Sequence, residues 1–125
     1  MNNIQGLNVE EIREVASKDD FKIAPYYSDG ETYGTLTWIW SVSVENRLFV
    51  RAYSGVSGRW YQSALAQKAG KITGAGLEKN VRFQSVKDDE LNDKIDQAYR
   101  EKYHNSSYLN SMMSSRAKAA TIEVI

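Results

Sequence analysis

The residues best suited to chemistry lie together in one short segment near the middle of the chain. Ser54 supplies a hydroxyl group, and a loop that contains Gly55 and Gly58 follows it. Arg59 then brings a fixed positive charge to the start of a predicted helix. Backbone N–H groups, a guanidinium and a helix dipole together suit a phosphate group. The segment predicts an anion site, although a plain loop with a solvated Arg59 explains the residues equally well.

Aromatic side chains lie close to this segment and could stack on a planar ring. Aromatic residues that alternate along a strand more often form core. Their proximity to the predicted anion site is what favours a binding role. The candidates are Trp38, Trp40, Tyr53, Trp60 and Tyr61.

Two catalytic templates are only partly matched. A nucleophile elbow around Ser57 needs glycine where Arg59 stands, and the one candidate base, His104, lies in a distant polar segment. Gly74 and Gly76 lack the third glycine of a dinucleotide-binding fingerprint, and no βαβ unit surrounds them. The sequence therefore predicts neither a serine hydrolase nor a Rossmann site.

The acidic group between Asp88 and Asp96 is explained by its position at the start of a predicted helix, where negative charge favours the helix dipole. His104 near the end of that helix is interpreted as a surface residue without a role. The chain has no cysteine and one histidine, which argues against a thiolate or zinc site. We expect no metal.

Length, charge and hydropathy limit the class of protein. The chain has 125 residues, which predicts a single domain over 1–125. Sixteen basic residues balance sixteen acidic ones, so general nucleic-acid binding is not expected. We see neither a leader peptide nor a stretch of about 20 apolar residues that could span a bilayer. These features predict a soluble cytoplasmic protein with no membrane partner.

Helical periodicity predicts three main helices. Asn8 and Glu11 form a capping-box pattern before a helix from Val9 to Ser17. A second helix is expected from Trp60 to Ala69, with Gly70 as its C-cap. A third begins after Asp88, and a single turn is expected near Tyr108.

Alternating apolar residues predict six strands. The strongest is Tyr33–Glu45, in which Leu36, Trp38, Trp40, Val42 and Val44 should share one buried face together with Val50 of the next strand. Pro25 should place the first strand at a sheet edge. The mixture of elements predicts an α+β fold, an antiparallel barrel flanked by helices. The expected strands are 21–26, 33–45, 48–54, 71–75, 81–86 and 119–125.

Three stretches resemble a bacterial family of unknown function, DUF2255. They are residues 33–42 (YGTLTWIWSV), 48–55 (LFVRAYSG) and 57–62 (SGRWYQ). The similarity extends from the first helix to residues 117–121, so it covers nearly the whole chain. The chain departs from the family pattern at Leu36, where proline is expected, and by an added residue near Gly58.

This family in turn resembles the FMN-binding split barrels, which include pyridoxamine-phosphate-oxidase-like proteins and deazaflavin-dependent nitroreductases. The resemblance implies a six-stranded antiparallel split β-barrel. It implies that Ser54 and Arg59 hold the flavin phosphate with help from Arg51, and that Thr37 or Trp38 lies near the ring. The full set of expected cofactor-binding residues is Thr37, Trp38, Arg51, Ser54, Arg59 and Trp60.

Two hypotheses of different classes follow from the resemblance. The first is a homodimer that binds FMN or a deazaflavin and acts as an oxidoreductase on a small molecule; the cofactor would supply the chemistry, so no catalytic triad is needed. The second is a barrel that binds another small ligand, or a protein, without redox activity. A visible absorption spectrum with added flavin would separate them.

Overall fold

The computed structural model describes residues 4–125 and shows an α+β fold in which helices flank one antiparallel sheet. The strands are β1 (Lys22–Pro25), β2 (Thr37–Trp38), β3 (Ser41–Val44), β4 (Arg47–Arg51), β5 (Ala69–Gly74), β6 (Leu77–Ser85) and β7 (Thr121–Val124). The helices are α1 (Val9–Ser17), α2 (Arg59–Gln67), α3 (Asp89–Lys102), α4 (Leu109–Met112) and α5 (Ser115–Lys118), with a 3₁₀ turn at Gly55–Ser57.

The sheet has the order β2-β1-β5-β6-β7-β4-β3 and curls into a half-barrel. Strand β6 is long enough to join its two halves. It pairs with β5 as far as Arg82 and with β7 from Phe83 onward. The expected α+β barrel-like sheet is confirmed, with seven strands instead of six.

The additional strand arises because the predicted strand Tyr33–Glu45 is broken. β2 pairs with β1 at one edge of the sheet, whereas β3 pairs with β4 at the other edge. Ile39 and Trp40 carry the chain between the two edges. The expectation of one continuous strand is therefore wrong: its alternating pattern persists through a crossing between two ladders.

The break also overturns the expected single buried face. Trp38 is 49% exposed, whereas Trp40 is 9% exposed. Val42 lies opposite Phe49, and both pack in a cluster with α3. Val50 lies opposite Ser41 and packs inside the curled sheet instead. Val42 and Val50 therefore lie on opposite faces of the β3–β4 ladder, and the sheet separates the two clusters.

Helix α1 confirms its predicted bounds and cap. The Glu11 N–H donates to Asn8 Oδ1 at 2.8 Å, and the Asn8 N–H donates to Glu11 Oε1 at 3.0 Å. The apolar residues Ile12 and Val15 pack into the inner cluster. α1 thereby covers the curled sheet.

Helix α2 begins one residue earlier than predicted and ends at Gln67. Its C-cap is Lys68, which adopts a left-handed φ of 60°. Gly70, the predicted cap, lies in β5 instead. A Cβ at Gly70 would lie 2.6 Å from the Ala24 carbonyl oxygen and 2.7 Å from the Pro25 Cα, so glycine is needed there for close strand packing.

Other local predictions are confirmed or corrected by the strand pairing. The turn that joins β3 to β4 has positive φ at Glu45 (54°) and Asn46 (61°), as a tight hairpin requires. β1 is the second strand of the sheet and not its edge. β2 pairs only with Lys22 and Ile23, so Pro25 still lies outside that ladder.

Within residues 4–125, no helix has the length and apolar character needed to cross a membrane.

Candidate functional site

A cavity of about 810 Å³ opens where β4 leads into α2 and where the chain crosses between β2 and β3. We call it the site pocket. The structure brings all six of the residues expected to bind a cofactor to its lining: Thr37, Trp38, Arg51, Ser54, Arg59 and Trp60. Residues far from these in sequence, Asp19, Tyr103 and Tyr108 among them, complete the walls.

One end of the pocket presents hydrogen-bond donors and a positive charge. Gly58 is the N-cap of α2 and provides no side-chain cap, so the first N–H groups of the helix stay available. Arg59 is exposed, and no other residue between 4 and 125 forms a hydrogen bond or ion pair with its guanidinium. The Ser54 carbonyl accepts the Ser57 hydroxyl at 3.4 Å. This end can attract and bind an anion.

Gly55 gives this end its shape. Its φ of +76° lies in the left-handed region, which side chains disfavour. A Cβ there would also lie 2.5 Å from Arg116 Cγ and 3.0 Å from the Arg116 carbonyl oxygen. The tight 3₁₀ turn before α2 therefore depends on glycine at this position.

Arg51 lines the same pocket but is fully buried, and its guanidinium is fully committed to the protein. An arginine has five N–H donors. All five have partners: Thr121 Oγ1 (3.0 Å), Asp96 Oδ1 (2.5 Å), the Met112 carbonyl (3.2 Å), and the carbonyl (3.2 Å) and Oδ1 (3.0 Å) of Asn92. A contact between Arg51 and a ligand phosphate would require one of these bonds to break.

The polar network around Arg51 joins five elements: β4, α3, α4, α5 and β7. Asp96 on α3 also accepts from Lys118 of α5 at 2.9 Å. Thr121 on β7 donates to Asn92 Oδ1 or to the Lys118 carbonyl, at 3.1 and 2.7 Å. The geometry gives Arg51 a structural role in the pocket wall, whereas Arg59 is exposed in the same lining and has no polar partner among residues 4–125.

The pocket walls are aromatic, and several of their rings are held in place. Trp40 stacks on Tyr103 with ring centroids 4.0 Å apart and planes 4° apart. Tyr53 packs edge-on against Tyr108 at 6.1 Å. Of the five aromatic candidates from the sequence, only Tyr61 lies outside the lining: it is buried, and its hydroxyl donates to the Ala119 carbonyl at 3.4 Å.

A second polar cluster lies at another part of the wall, and no motif in the sequence indicates it. The Tyr103 hydroxyl donates to Asp19 Oδ1 at 3.1 Å and accepts from the Ser41 N–H at 3.2 Å. The Lys102 ammonium donates to the Ser41 carbonyl at 2.6 Å. Asp19 and Tyr103 are 84 positions apart, so only the folded chain shows that they meet.

Burial changes the acid–base behaviour of this cluster. Desolvation lowers the pKa of Lys102 to about 8, against an opposing effect from the negative charges of Asp19 and Asp20. Desolvation also raises the pKa of Tyr103 far above its usual value. Tyr103 is therefore a neutral hydrogen-bonding group at physiological pH, and the charge of Lys102 is sensitive to mildly alkaline conditions.

The residues that fitted no catalytic template lie elsewhere. His104 is exposed outside the pocket lining, with Nδ1 3.1 Å from the Glu101 carbonyl. Asp88 caps α3 by accepting from the Leu91 N–H at 3.0 Å. Asp96, from the same acidic group, belongs to the Arg51 network. The described part of the chain contains no cluster of three or more residues suited to hold a metal ion.

Comparison with known families assigns the chain to one of them. Residues 11–124 match the model of a family described as an uncharacterised protein conserved in bacteria, DUF2255, and the chain belongs to this family. The resemblance drawn from the tryptophan-bearing strand and the loop before α2 is thereby confirmed. No curated protein matches the chain.

Proposed function

We propose that this member of the family binds FMN or a deazaflavin in the site pocket and acts as an oxidoreductase on a small molecule. The observation that supports the proposal is the combination, in one cavity, of an anion-binding end and aromatic walls. A volume of about 810 Å³ lies in the range of small-molecule sites.

The phosphate of the cofactor would bind at the start of α2. The N–H groups of the first helical turn and the Ser54 hydroxyl are suitable donors, and the Arg59 guanidinium can contact two phosphate oxygens at once. Arg59 breaks no hydrogen bond or ion pair with residues 4–125 to do this. Arg51 is not part of the proposed phosphate site, because its donors are already bound.

The planar ring would lie against the aromatic wall. Thr37 and Trp38 form the short strand β2 beside the pocket. Trp40 is held in place by its stack on Tyr103. A fixed ring orders a planar ligand at low entropic cost. When bound, the cofactor would supply hydride or electron transfer, and the protein would orient it and exclude water.

The anion-binding end is equally suited to a phosphorylated ligand that is not a flavin. Such a ligand corresponds to the non-redox alternative. The visible spectrum of the purified protein, with and without added FMN or deazaflavin, separates the two functions, since only a bound flavin gives a shifted visible band. The homodimer expected from the resemblance stays a prediction, to be checked by sedimentation at micromolar concentration.

The proposal is tested by titrating FMN into the parent protein and into Arg59→Ala. Loss of a charge-assisted contact of roughly 1.5 to 3 kcal/mol predicts about tenfold to hundredfold weaker binding. Arg59→Lys should recover part of the loss, because an ammonium keeps the charge but not the planar fork. Thermal stability should barely change.

Arg82→Ala is the matched control. Arg82 is also an exposed arginine, but it lies on β6 and lines a different surface. Its variant should bind FMN like the parent. Equal affinity in the parent, Arg59→Ala and Arg82→Ala would refute the anion site and leave Arg59 as a solvated residue at the start of α2.

A further inference from the structure

We propose that Asp19 and the indole of Trp38 form a cation-binding end of the site pocket, which selects a small molecule that carries an ammonium group. That this molecule is the substrate rests on the proposed function. The cation site itself rests on the contacts of Asp19 and Trp38, and it can be tested without any cofactor.

The Asp19 carboxylate is held in position but keeps unused acceptor capacity. The main-chain carbonyl of Asp19 accepts the Trp38 indole N–H at 2.8 Å, and the carboxylate Oδ1 accepts the Tyr103 hydroxyl at 3.1 Å. A carboxylate offers about four acceptor sites on its two oxygens. Asp19 is exposed and lines the pocket, so the remaining sites are open to a ligand.

Trp38 lines the same pocket as this carboxylate, and its indole N–H is bonded to the main chain of Asp19. The side chain is 49% exposed and lines the pocket, and its indole N–H bond to Asp19 restricts its rotation. The face of an indole is the strongest aromatic partner for a cation in proteins. A carboxylate beside an anchored indole favours an ammonium group over a neutral group of the same size.

Lys102 is a protein cation near Asp19. Its charge and that of Asp19 influence each other, but Nζ donates to the Ser41 carbonyl at 2.6 Å. Within residues 4–125, no lysine or arginine lies within 4.0 Å of the Asp19 carboxylate. Lys102 therefore weakens the negative potential at Asp19 without occupying it.

The two charged parts of the pocket also fix which way a ligand pair can bind. Arg59 and the start of α2 attract a phosphate, whereas Asp19 repels one. A cofactor phosphate is thus directed to α2, whereas an ammonium group is directed to Asp19. Opposite charges in one cavity give orientation as well as affinity.

The probe is benzylammonium, with benzyl alcohol as its neutral counterpart, titrated into the protein without FMN. The readout is the NMR signal of the Trp38 indole N–H, which can be assigned because the chain has three tryptophans. We expect benzylammonium to shift this signal in the millimolar range and benzyl alcohol to bind more weakly. Asp19→Asn should reduce benzylammonium affinity roughly threefold to tenfold, and added salt should reduce the difference.

Asp20→Asn is the matched control, since it removes the same charge one residue away. Asp20 accepts from the Ala75 N–H at 3.0 Å and does not line the pocket, and an asparagine oxygen can keep that bond. Asp19→Asn likewise keeps an acceptor for Tyr103, so both variants should fold. The proposal is overturned if benzylammonium fails to bind, if benzyl alcohol binds equally well, or if the two variants behave alike. None of these outcomes affects the FMN titration of Arg59→Ala, so the two proposals fail separately.

Discussion

Arg51 and Arg59 line one pocket, yet the structure predicts opposite consequences for their removal. Replacing Arg51 with methionine should destabilise the fold, because the side chain is 1% exposed and all five of its donors are bound. The methionine keeps much of the buried apolar volume. The change therefore isolates the loss of the guanidinium.

The loss of unfolding free energy in Arg51→Met depends on which partners Asp96 and Asn92 keep. Breaking a buried ion pair by removing one partner typically costs about 3–5 kcal/mol. Asp96 keeps Lys118 on its second oxygen, and Asn92 Oδ1 keeps Thr121, so the loss should lie near the lower limit. About 3 kcal/mol is a large part of a total stability of roughly 5–15 kcal/mol. It should lower the melting temperature by about 10–15 °C.

The measurement is urea unfolding followed by tryptophan fluorescence, with calorimetry for the melting temperature. Arg59→Ala is the control and should change the unfolding free energy by less than about 0.5 kcal/mol, as is usual for an exposed side chain. Arg51→Lys keeps one charge for Asp96 and should lose less than Arg51→Met. This milder variant keeps the test decisive if the methionine variant does not fold.

The reasoning would be refuted by a well-folded Arg51→Met variant with the stability of the parent. If that variant also lost FMN affinity, Arg51 would be a ligand contact, and its network with Asp96 and Asn92 would have to open on binding. A loss of stability in Arg51→Met, together with an unchanged melting temperature in Arg59→Ala, would establish the division of roles between the two arginines.

Two further predictions test the polar cluster and the sheet. Burial lowers the pKa of Lys102 to about 8 from 10.5, so the unfolded chain binds this proton more tightly than the folded chain does. The parent should therefore gain stability relative to Lys102→Met as pH rises from about 8 to 10.5. An equal pH dependence of the unfolding free energy in both proteins across that range would contradict the shift. Gly70→Ala should lower the free energy of unfolding by at least about 2 kcal/mol, because its Cβ would lie 2.6 Å from the Ala24 carbonyl oxygen. Gly76→Ala, at φ +80° with no atom within 4 Å, should lower it by only about 1 kcal/mol through backbone strain. Equal losses in chemical unfolding would disprove the steric argument.

Features determined by neighbouring residues were predictable from the sequence. The capping box of α1 depends on two residues three positions apart, and the β3–β4 turn depends on a short polar connection. The start of α2 likewise follows from the loop around Gly55 and Gly58. Local chemistry of this kind acts over a few residues, which is why these elements, with Arg59 at the start of a helix, could be inferred before the fold was known.

Features that depend on distant partners could not be predicted in this way. Arg51 looked like a ligand contact because its partners on α3 and β7 are 41 to 70 positions away. Asp19 has no role in the sequence analysis, because Tyr103, which donates to it, lies 84 positions away. The strand 33–45 looked continuous, because an alternating pattern records which side chains are apolar and not which ladder each residue joins.

The broken strand and the second polar cluster have one physical explanation. Where a strand leaves one ladder for another, its backbone groups lose their sheet partners and need others. At the break, the Ile39 N–H donates to the Phe21 carbonyl at 3.1 Å. The Ser41 N–H instead donates to the Tyr103 hydroxyl, and its carbonyl accepts from Lys102.

The last turn of α3 thus supplies with side chains what the ladder no longer supplies with backbone. Tyr103 has three roles at once: its hydroxyl accepts from the Ser41 N–H and donates to Asp19, and its ring stacks on Trp40. The wall of the pocket is therefore a consequence of how the break is stabilised. Any ligand in the pocket binds against a surface that the fold must build for its own hydrogen bonding, so this surface is ordered before the ligand arrives.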